Sequence, residues 1–230
     1  MNRHRMSYTF LDDVVENTEP MTIGRRFYPS AGKRMLDIVV VVLSLPFVLP
    51  ILALVWLLIL LDGGNGIYSQ PRIGVGGRVF KCWKIRTMVL DADAVLSRLM
   101  DERPDLAEEW NTNQKLECDP RITWWGQMLR RASLDELPQL LNVLKGDMSL
   151  IGPRPFTPDQ KQLYESAGSD LAYYRLRPGI SGLWQVECRN NGTFQQRIAF
   201  DETYATDLTF WSDMRLVFRT VLVMLRATGK

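Results

Sequence analysis

An aspartate and a glutamate stand side by side at Asp135 and Glu136, with Arg130 and Arg131 just before them and Arg154 not far beyond. Aspartate is a competent nucleophile toward phosphorus, and the acyl phosphate it forms splits one displacement into two easier ones. The start of a helix can hold both an ionised carboxylate and an incoming phosphate, because its free N–H groups carry partial positive charge. An Asp-Glu pair taken alone is ordinary helix-cap chemistry. Its surroundings here ask for more. The GPRP run at 152–155 presents Arg154 on a stiff loop, where a planar guanidinium suits bidentate phosphate binding. WKIRTM (83–88) puts Lys84 and Arg86 on one side of a strand, and DPRIT (119–123) adds Asp119 and Arg121. Asp147, in the turn KGDMS, reads either as a turn former or as a metal-adjacent carboxylate. Cationic arms, a carboxylate nucleophile and carboxylates for Mg²⁺, Asp135 foremost, are a set that neutralises a diphosphate.

The rest of the composition narrows the chemistry. The single histidine, His4, lies in a polar N-terminal stretch, which removes Ser-His-Asp and Cys-His catalysis and His-ligated metals. Cys82, Cys118 and Cys188 are odd in number and never form CxxC, so they argue for a reducing compartment and against a disulfide scaffold or zinc site. A formal charge of +2 is too small for nucleic-acid binding by bulk electrostatics. The first 30 residues do not read as a signal peptide, because Asp12, Asp13, Glu16 and Glu19 occupy the place of an apolar core.

The elements that must position these residues begin with a membrane-sized apolar run. From Ile38 to Leu61 every residue is apolar except Ser44, and Pro46 and Pro50 fall near the middle. As one straight helix the run would be roughly 36 Å long, enough to cross a hydrocarbon core. Basic residues flank it on both sides, Arg25, Arg26, Lys33 and Arg34 before and Arg72, Arg78, Lys81, Lys84 and Arg86 after. Both flanks therefore ask for the cytoplasmic face. A helix that enters, bends at Pro46 and leaves by the same face satisfies both, with Ser44 serving the backbone groups the prolines free. A plain single span is the alternative. The expected organisation is a polar tail over 1–30, a re-entrant anchor over 31–62 and a catalytic domain over 63–230.

Within that domain, IYSQPRIGVGGRVFKCWKIRTM (67–88) alternates around a GVGG turn and predicts a β-hairpin. Residues 89–115 predict an exposed helix pair broken near Pro104, and a further helix is expected from Trp124 to Arg131. Ser133 with Glu136 three residues on reads as a capping box, followed by an apolar face of Leu137, Leu140, Leu141 and Leu144 that ends at Gly146. Residues 159–175 read as helical, and RPGISGLWQV (177–186) as a loop running into a short strand. A final helix from Trp211 to Arg226 carries Arg215, Arg219 and Arg226 in a stripe and suits either a membrane interface or an ordinary core. The fold class is α+β, mainly helical: a re-entrant membrane helix, interfacial amphipathic helices and a small β-hairpin.

From about Gly32 onward the chain resembles the bacterial sugar transferase family of monotopic phosphoglycosyl transferases. The residues that carry the resemblance are KRMLD and the Pro-broken helix (33–61), FKCWKIRTM (80–88), DPRIT, SLDELPQLLNVLKGDMSLIGPRP (133–155), RPGISGLWQV and DETY with the segment to Thr220. It is most similar to the short exopolysaccharide-initiating members that move galactose 1-phosphate. The resemblance implies transfer of a hexose 1-phosphate from a UDP-hexose to undecaprenyl phosphate, with release of UMP and with Mg²⁺, on the cytoplasmic face of the bacterial inner membrane. It implies Asp135 as nucleophile, Glu136 as its partner in the second step, and Lys84, Arg86 and Arg154 around the phosphates. Membrane lipid, and a homo-oligomer, are further expected partners. The family commonly continues after RPGISGLWQV with Ser-Gly-Arg-Asn, whereas this chain has Glu187, Cys188, Arg189 and Asn190. That departure bears on substrate identity, through a loop that could touch nucleotide or sugar. A catalytically inactive membrane scaffold and a transferase acting on a lipid alcohol are the competing readings.

Overall fold

A computed structural model describes residues 28–61, 65–113, 116–166, 172–188 and 196–225. The polar tail lies outside the described residues except for its last three. A turn of π-helix, Tyr28–Gly32, leads into α1, Lys33–Leu61, which runs without a break through Pro46 and Pro50. Outward-facing apolar side chains such as Leu43, Phe47 and Leu57 cover it, and it is long and apolar enough to cross a membrane. An all-round apolar surface of this kind belongs in lipid or a large core, and the core here takes only part of it.

The first turns of α1 are clamped to the body by polar contacts. Lys33 Nζ lies 2.6 Å from the buried Asp213 carboxylate, which also accepts from Tyr28 (2.6 Å) and Tyr204 (2.8 Å). Arg34 donates to the carbonyls of Val143 and Leu144, and the Leu150 N–H donates to Asp37 Oδ1 at 3.0 Å. The basic flank thus has tertiary partners as well as membrane preference. Ser44 Oγ donates to the Val41 carbonyl (2.8 Å), not to the Val42 carbonyl that Pro46 leaves without its N–H. Val41 packs with Cys82, Val143 and Met148, while Val55 and Ile59 pack with Ile85 and Leu129. Both ends of the apolar helix therefore rest on the same body.

The hairpin is as expected: β1 (Ile67–Ile73) pairs antiparallel with β2 (Val79–Ile85), with Arg72 opposite Phe80 and Gln70 opposite Cys82. The helix pair is α2 (Ala92–Glu102) and α3 (Pro104–Asn113), with Pro104 opening the second helix, where its missing N–H costs nothing. In α4 (Trp124–Arg131), Thr123 accepts from the Gly126 N–H at 3.0 Å.

The stretch after α4 departs from expectation. Ser133 has φ 55°, in the left-handed region, and makes no capping bond. A 3₁₀ turn, Leu134–Glu136, follows, and α5 starts only at Gln139. There is no capping box because Glu136 is drawn to Lys84 on β2 instead. The expected leucine face is also wrong in part. Leu141 is 51% exposed, while Gln139, Asn142 and Val143 are the buried residues.

Asn142 explains the swap. It accepts from the Trp83 N–H (3.0 Å) and donates to the Lys81 carbonyl (2.7 Å), acting as one residue of a missing strand along the free edge of β2. Strand β3 (Ser149–Ile151) pairs parallel with β4 (Gly179–Ser181). The strand of the RPGISGLWQV run thus comes first, and a helix, α7 (Leu183–Glu187), follows it.

Only α6 (Lys161–Glu165) and the 3₁₀ turns Pro158–Gln160 and Ala172–Arg175 represent the helix expected over 159–175 among the described residues. The chain ends in α8 (Gln196–Thr206) and α9 (Phe210–Leu225). Helix α9 packs one side on the core and leaves the other exposed. Asp213 and Leu216 are buried, while Trp211 and Phe218 stand 76% and 65% exposed on the other side.

Candidate active site

Three segments meet at a small hollow. Side chains opposite one another in an antiparallel pair share a face, so the register puts Arg72 on the side of β2 that carries Phe80, Cys82 and Lys84. The 3₁₀ turn brings Glu136 to that face, the loop after β3 brings Arg154, and Asp135, buried beside Glu136, does not itself line the hollow. The hollow is lined by Arg72, Cys82, Lys84, Glu136, Gln139 and Arg154, among others.

Close backbone contact fixes the arginine loop. A Cβ on Gly152 would lie 2.3 Å from the Arg177 carbonyl oxygen, and one on Gly179 would lie 2.1 Å from the Gly152 nitrogen, so neither tolerates a side chain. The Gly179 N–H donates to the Pro153 carbonyl (2.8 Å), and Arg72 donates to the Pro155 carbonyl (3.0 Å). Arg154 is held at its backbone from both sides while its guanidinium stays partly exposed.

The charges are unequal in number. Glu136 Oε1 lies 2.8 Å from Lys84 Nζ and 3.4 Å from Arg154 Nη2. Burial works to raise the Glu136 carboxyl, but Lys84, Arg154 and Arg72 outweigh it and hold the group down at about 2. Asp135 moves the other way. Burial and the neighbouring Glu136 charge raise it, against the pull of Lys84, Arg130 and Arg154. Burial also pushes the Cys82 thiol up, so it lines the hollow as a neutral group. Lys84, Arg72 and Arg154 thus face one fully ionised carboxylate and one that holds its proton more tightly than usual. That balance favours a further anion beside Glu136.

The other expected residues sit elsewhere. Arg121 forms a two-pronged pair with Asp119, at 2.8 and 2.6 Å, and its guanidinium lies 5.2 Å from the centre of the Trp110 ring. Those contacts tie a loop to a helix. Arg86 lies past the end of β2, gives its backbone N–H to the Gly66 carbonyl and does not line the hollow. Arg130 donates Nε to Thr87 (2.9 Å) and reaches Asp135 through its field. Asp147 accepts from Asn142 Nδ2 at 3.1 Å, in its turn-forming role. Glu187 pairs with Arg219 of α9, so the departure from the family pattern is turned away from the hollow at that position. Arg189 and Asn190 lie outside the described residues.

Arg72 and Gln139 are site residues that sequence reasoning passed over. The hairpin register through the GVGG turn would have placed Arg72 opposite Phe80, on the face of β2 that carries Lys84. Gln139 reads as one polar residue among leucines, and only its burial (2% exposed) at the hollow marks it.

The match to bacterial sugar transferases covers residues 28–227. The chain belongs to that family. A sugar transferase of this kind is an enzyme, and its relatives are similar over most of this chain. The undecaprenyl-phosphate galactose phosphotransferase of Salmonella typhimurium is 43% identical over 86% of it. The exopolysaccharide production protein ExoY of Sinorhizobium fredii is 42% identical over 86% of it and is itself covered to 87%. The UDP-glucose:undecaprenyl-phosphate glucose-1-phosphate transferase of Caulobacter vibrioides is 40% identical over 82% of it. The chain spans 41% of the Salmonella relative's length and 68% of the Caulobacter relative's.

Proposed function

We propose that this sugar transferase moves a hexose 1-phosphate, galactose 1-phosphate foremost, from a UDP-sugar to undecaprenyl phosphate in two covalent steps. The observation that carries the reading is the cationic hollow around Glu136, with Asp135 next to it in the chain and within the field of Lys84, Arg130 and Arg154. In the first step an Asp135 carboxylate oxygen attacks the sugar-bearing phosphorus, the P–O bond to UMP breaks, and UMP leaves. In the second a lipid phosphate oxygen attacks the same phosphorus and Asp135 departs as carboxylate, leaving a lipid diphospho-sugar. Lys84, Arg72 and Arg154 meet the charge that builds on the phosphate oxygens.

Glu136 has a part in the exchange. In the free protein it occupies Lys84 and Arg154. A bound phosphate competes for those cations, so the Glu136 carboxylate loses stabilisation and becomes a better proton acceptor. The donor set fits Mg²⁺ in its usual manner, one or two carboxylates plus the substrate's phosphates. Asp135 is the fitting carboxylate, because it makes no side-chain hydrogen bond among the described residues. Bound there, the ion would supply charge neutralisation to the diphosphate.

A re-entrant anchor on the cytoplasmic face of the bacterial inner membrane fits the same reading. Val41 shares a cluster with Cys82, and Val55 shares one with Ile85. Cys82 and Ile85 are about 10 Å apart along β2, whereas a straight helix separates Val41 from Val55 by about 21 Å. A helix bent at the prolines would let both halves reach one strand and would keep its helical assignment.

The deciding experiment uses Asp135→Asn, which keeps shape and removes the nucleophile. Turnover should fall by several orders of magnitude in folded, membrane-bound protein, and a phosphosugar trapped on the wild type should be absent from the variant. Kinetics that require a ternary complex, with no exchange of UMP into UDP-sugar, would sink the two-step reading.

A further inference from the structure

A second cavity, about 420 Å³ in volume, shares no lining residue with the hollow around Glu136. Lys33, Arg78, Arg175 and Arg177 line it together with two carboxylates, Asp37 and Asp147. Lys33 is matched by Asp213 and Asp147 is bonded to Asn142, while Arg177 gives its Nε to the Gly146 carbonyl at 3.1 Å. Phe80, Leu176 and Leu208 supply apolar wall. The volume lies in the range of small-ligand sites, and with Lys33 set against Asp213 the lining cations still outnumber the lining carboxylates three to two. Such an excess inside a concave site favours an anion, because field lines concentrate between low-dielectric walls.

Its place in the molecule says which anion can reach it. Pro29 and Lys33, at the foot of the anchor helix, form one wall. Tyr28 sits edge-on to Phe210, ring centroids 5.8 Å apart, and Trp211 beside it is largely exposed. Exposed aromatics and basic residues at the end of an apolar helix mark the level of lipid headgroups. We infer that this cavity is a second anion site, one that binds the phosphate of a phosphate ester, with a glycerophospholipid headgroup as the source at that depth.

A phosphate held there does not react. Phe80 at this cavity and Lys84 at the hollow lie on one face of β2 about 13 Å apart, with Cys82 and Met148 packed between them. Its effect is to tie the foot of the anchor, the hairpin and the β4 approach to one ligand. The inference is independent of which sugar or lipid the hollow uses.

The test is thermal unfolding of the purified full chain in detergent, followed by tryptophan fluorescence. The probes are dihexanoyl phosphatidylglycerol, dihexanoylglycerol, which lacks the phosphate, and sodium phosphate. Phosphatidylglycerol should raise the unfolding temperature saturably, and dihexanoylglycerol should not. Arg78→Glu reverses an exposed charge at the rim and should weaken the apparent affinity at least tenfold. Val75→Trp fills the cavity from the exposed hairpin turn without changing charge and should remove the shift. Both variants should unfold near the wild-type temperature without probe and keep wild-type turnover. Should sodium phosphate alone reproduce the shift, with the same loss in both variants, the site stands and its ligand is a soluble phosphate. A shift that survives either substitution, or no saturable shift with any probe, overturns the inference.

Discussion

Glu136 holds both Lys84 and Arg154, the two cations that the proposed reaction assigns to an incoming phosphate, and the two contacts are unequal. Lys84 is close and well shielded; Arg154 is 3.4 Å away with its side chain 38% exposed. Arg154 is therefore the easier cation to redirect, and Gly152, Pro153 and Pro155 hold its backbone so that little ordering is lost when it turns to a substrate. Arg154→Lys keeps the charge and loses the planar fork. It should cost about 2–3 kcal/mol of transition-state stabilisation, about 30- to 150-fold in kcat/KM, with little change in thermal stability. Steady-state kinetics beside a melting curve decide it. A variant that unfolds readily while its folded fraction turns over normally would make Arg154 a structural residue.

At the scale of elements, two buried polar contacts make separate predictions. Asn142 closes the free edge of β2, and Asn142→Leu, similar in size, leaves the Trp83 N–H and the Lys81 carbonyl without that partner. The loss should be on the order of 2–4 kcal/mol in unfolding free energy, at about 1–3 kcal/mol for each stranded group. A denaturant titration with unchanged stability would show that water replaces the side chain.

The second contact is Asp201 on α8, which accepts from Tyr164 at 2.7 Å and lies 4.0 Å from Arg197. Burial raises its carboxyl to about 6, against Arg197 and the Tyr164 hydrogen bond. The folded chain thus holds this proton more tightly than the unfolded chain, whose value is 3.8. The stability it contributes is full below about pH 4 and is lost as pH rises through 6, about 3 kcal/mol in all. Asp201→Asn carries no proton to lose. Its melting temperature relative to wild type should be more favourable at pH 7 than at pH 4.5, and an equal offset at both would refute the assignment.

For the whole molecule the open question is how the anchor sits. Its first turns are clamped through Lys33, Arg34 and Asp37, and its later turns pack through Val55 and Ile59, all on one body. A straight span would carry Val55 and Ile59 away from Ile85 and Leu129 and leave those residues uncovered. Cysteines introduced at Ala31 and Asn65 in a cysteine-free background should both resist a membrane-impermeant reagent added from the periplasm. Labelling at either site would show the hairpin to be wrong. Pro46→Leu restores an uninterrupted apolar helix and should shift some of the population toward a span, opposed by the packing of Val55 and Ile59.

Patterns with a local cause were legible in the residues alone. Alternation around GVGG made the hairpin, Pro104 split the exposed helix pair, Trp124 to Arg131 formed the expected helix, and the run from Ile38 to Leu61 formed one long apolar helix. The carboxylate pair and the Arg154 loop stood out too, and the structure brings Glu136 and Arg154 to one hollow. Contacts between segments distant in sequence decided the rest. Glu136 left its expected cap for Lys84, 52 residues away, and Arg121 went to Asp119 and Trp110. Lys33 and Arg34 read as membrane-flank charges and proved also to be the anchor's clamps. Charge and capping preference are properties of a residue, but which partner satisfies them depends on what the chain brings within 3 Å. Only the packed structure brings Arg72, Lys84, Glu136 and Arg154 to one place.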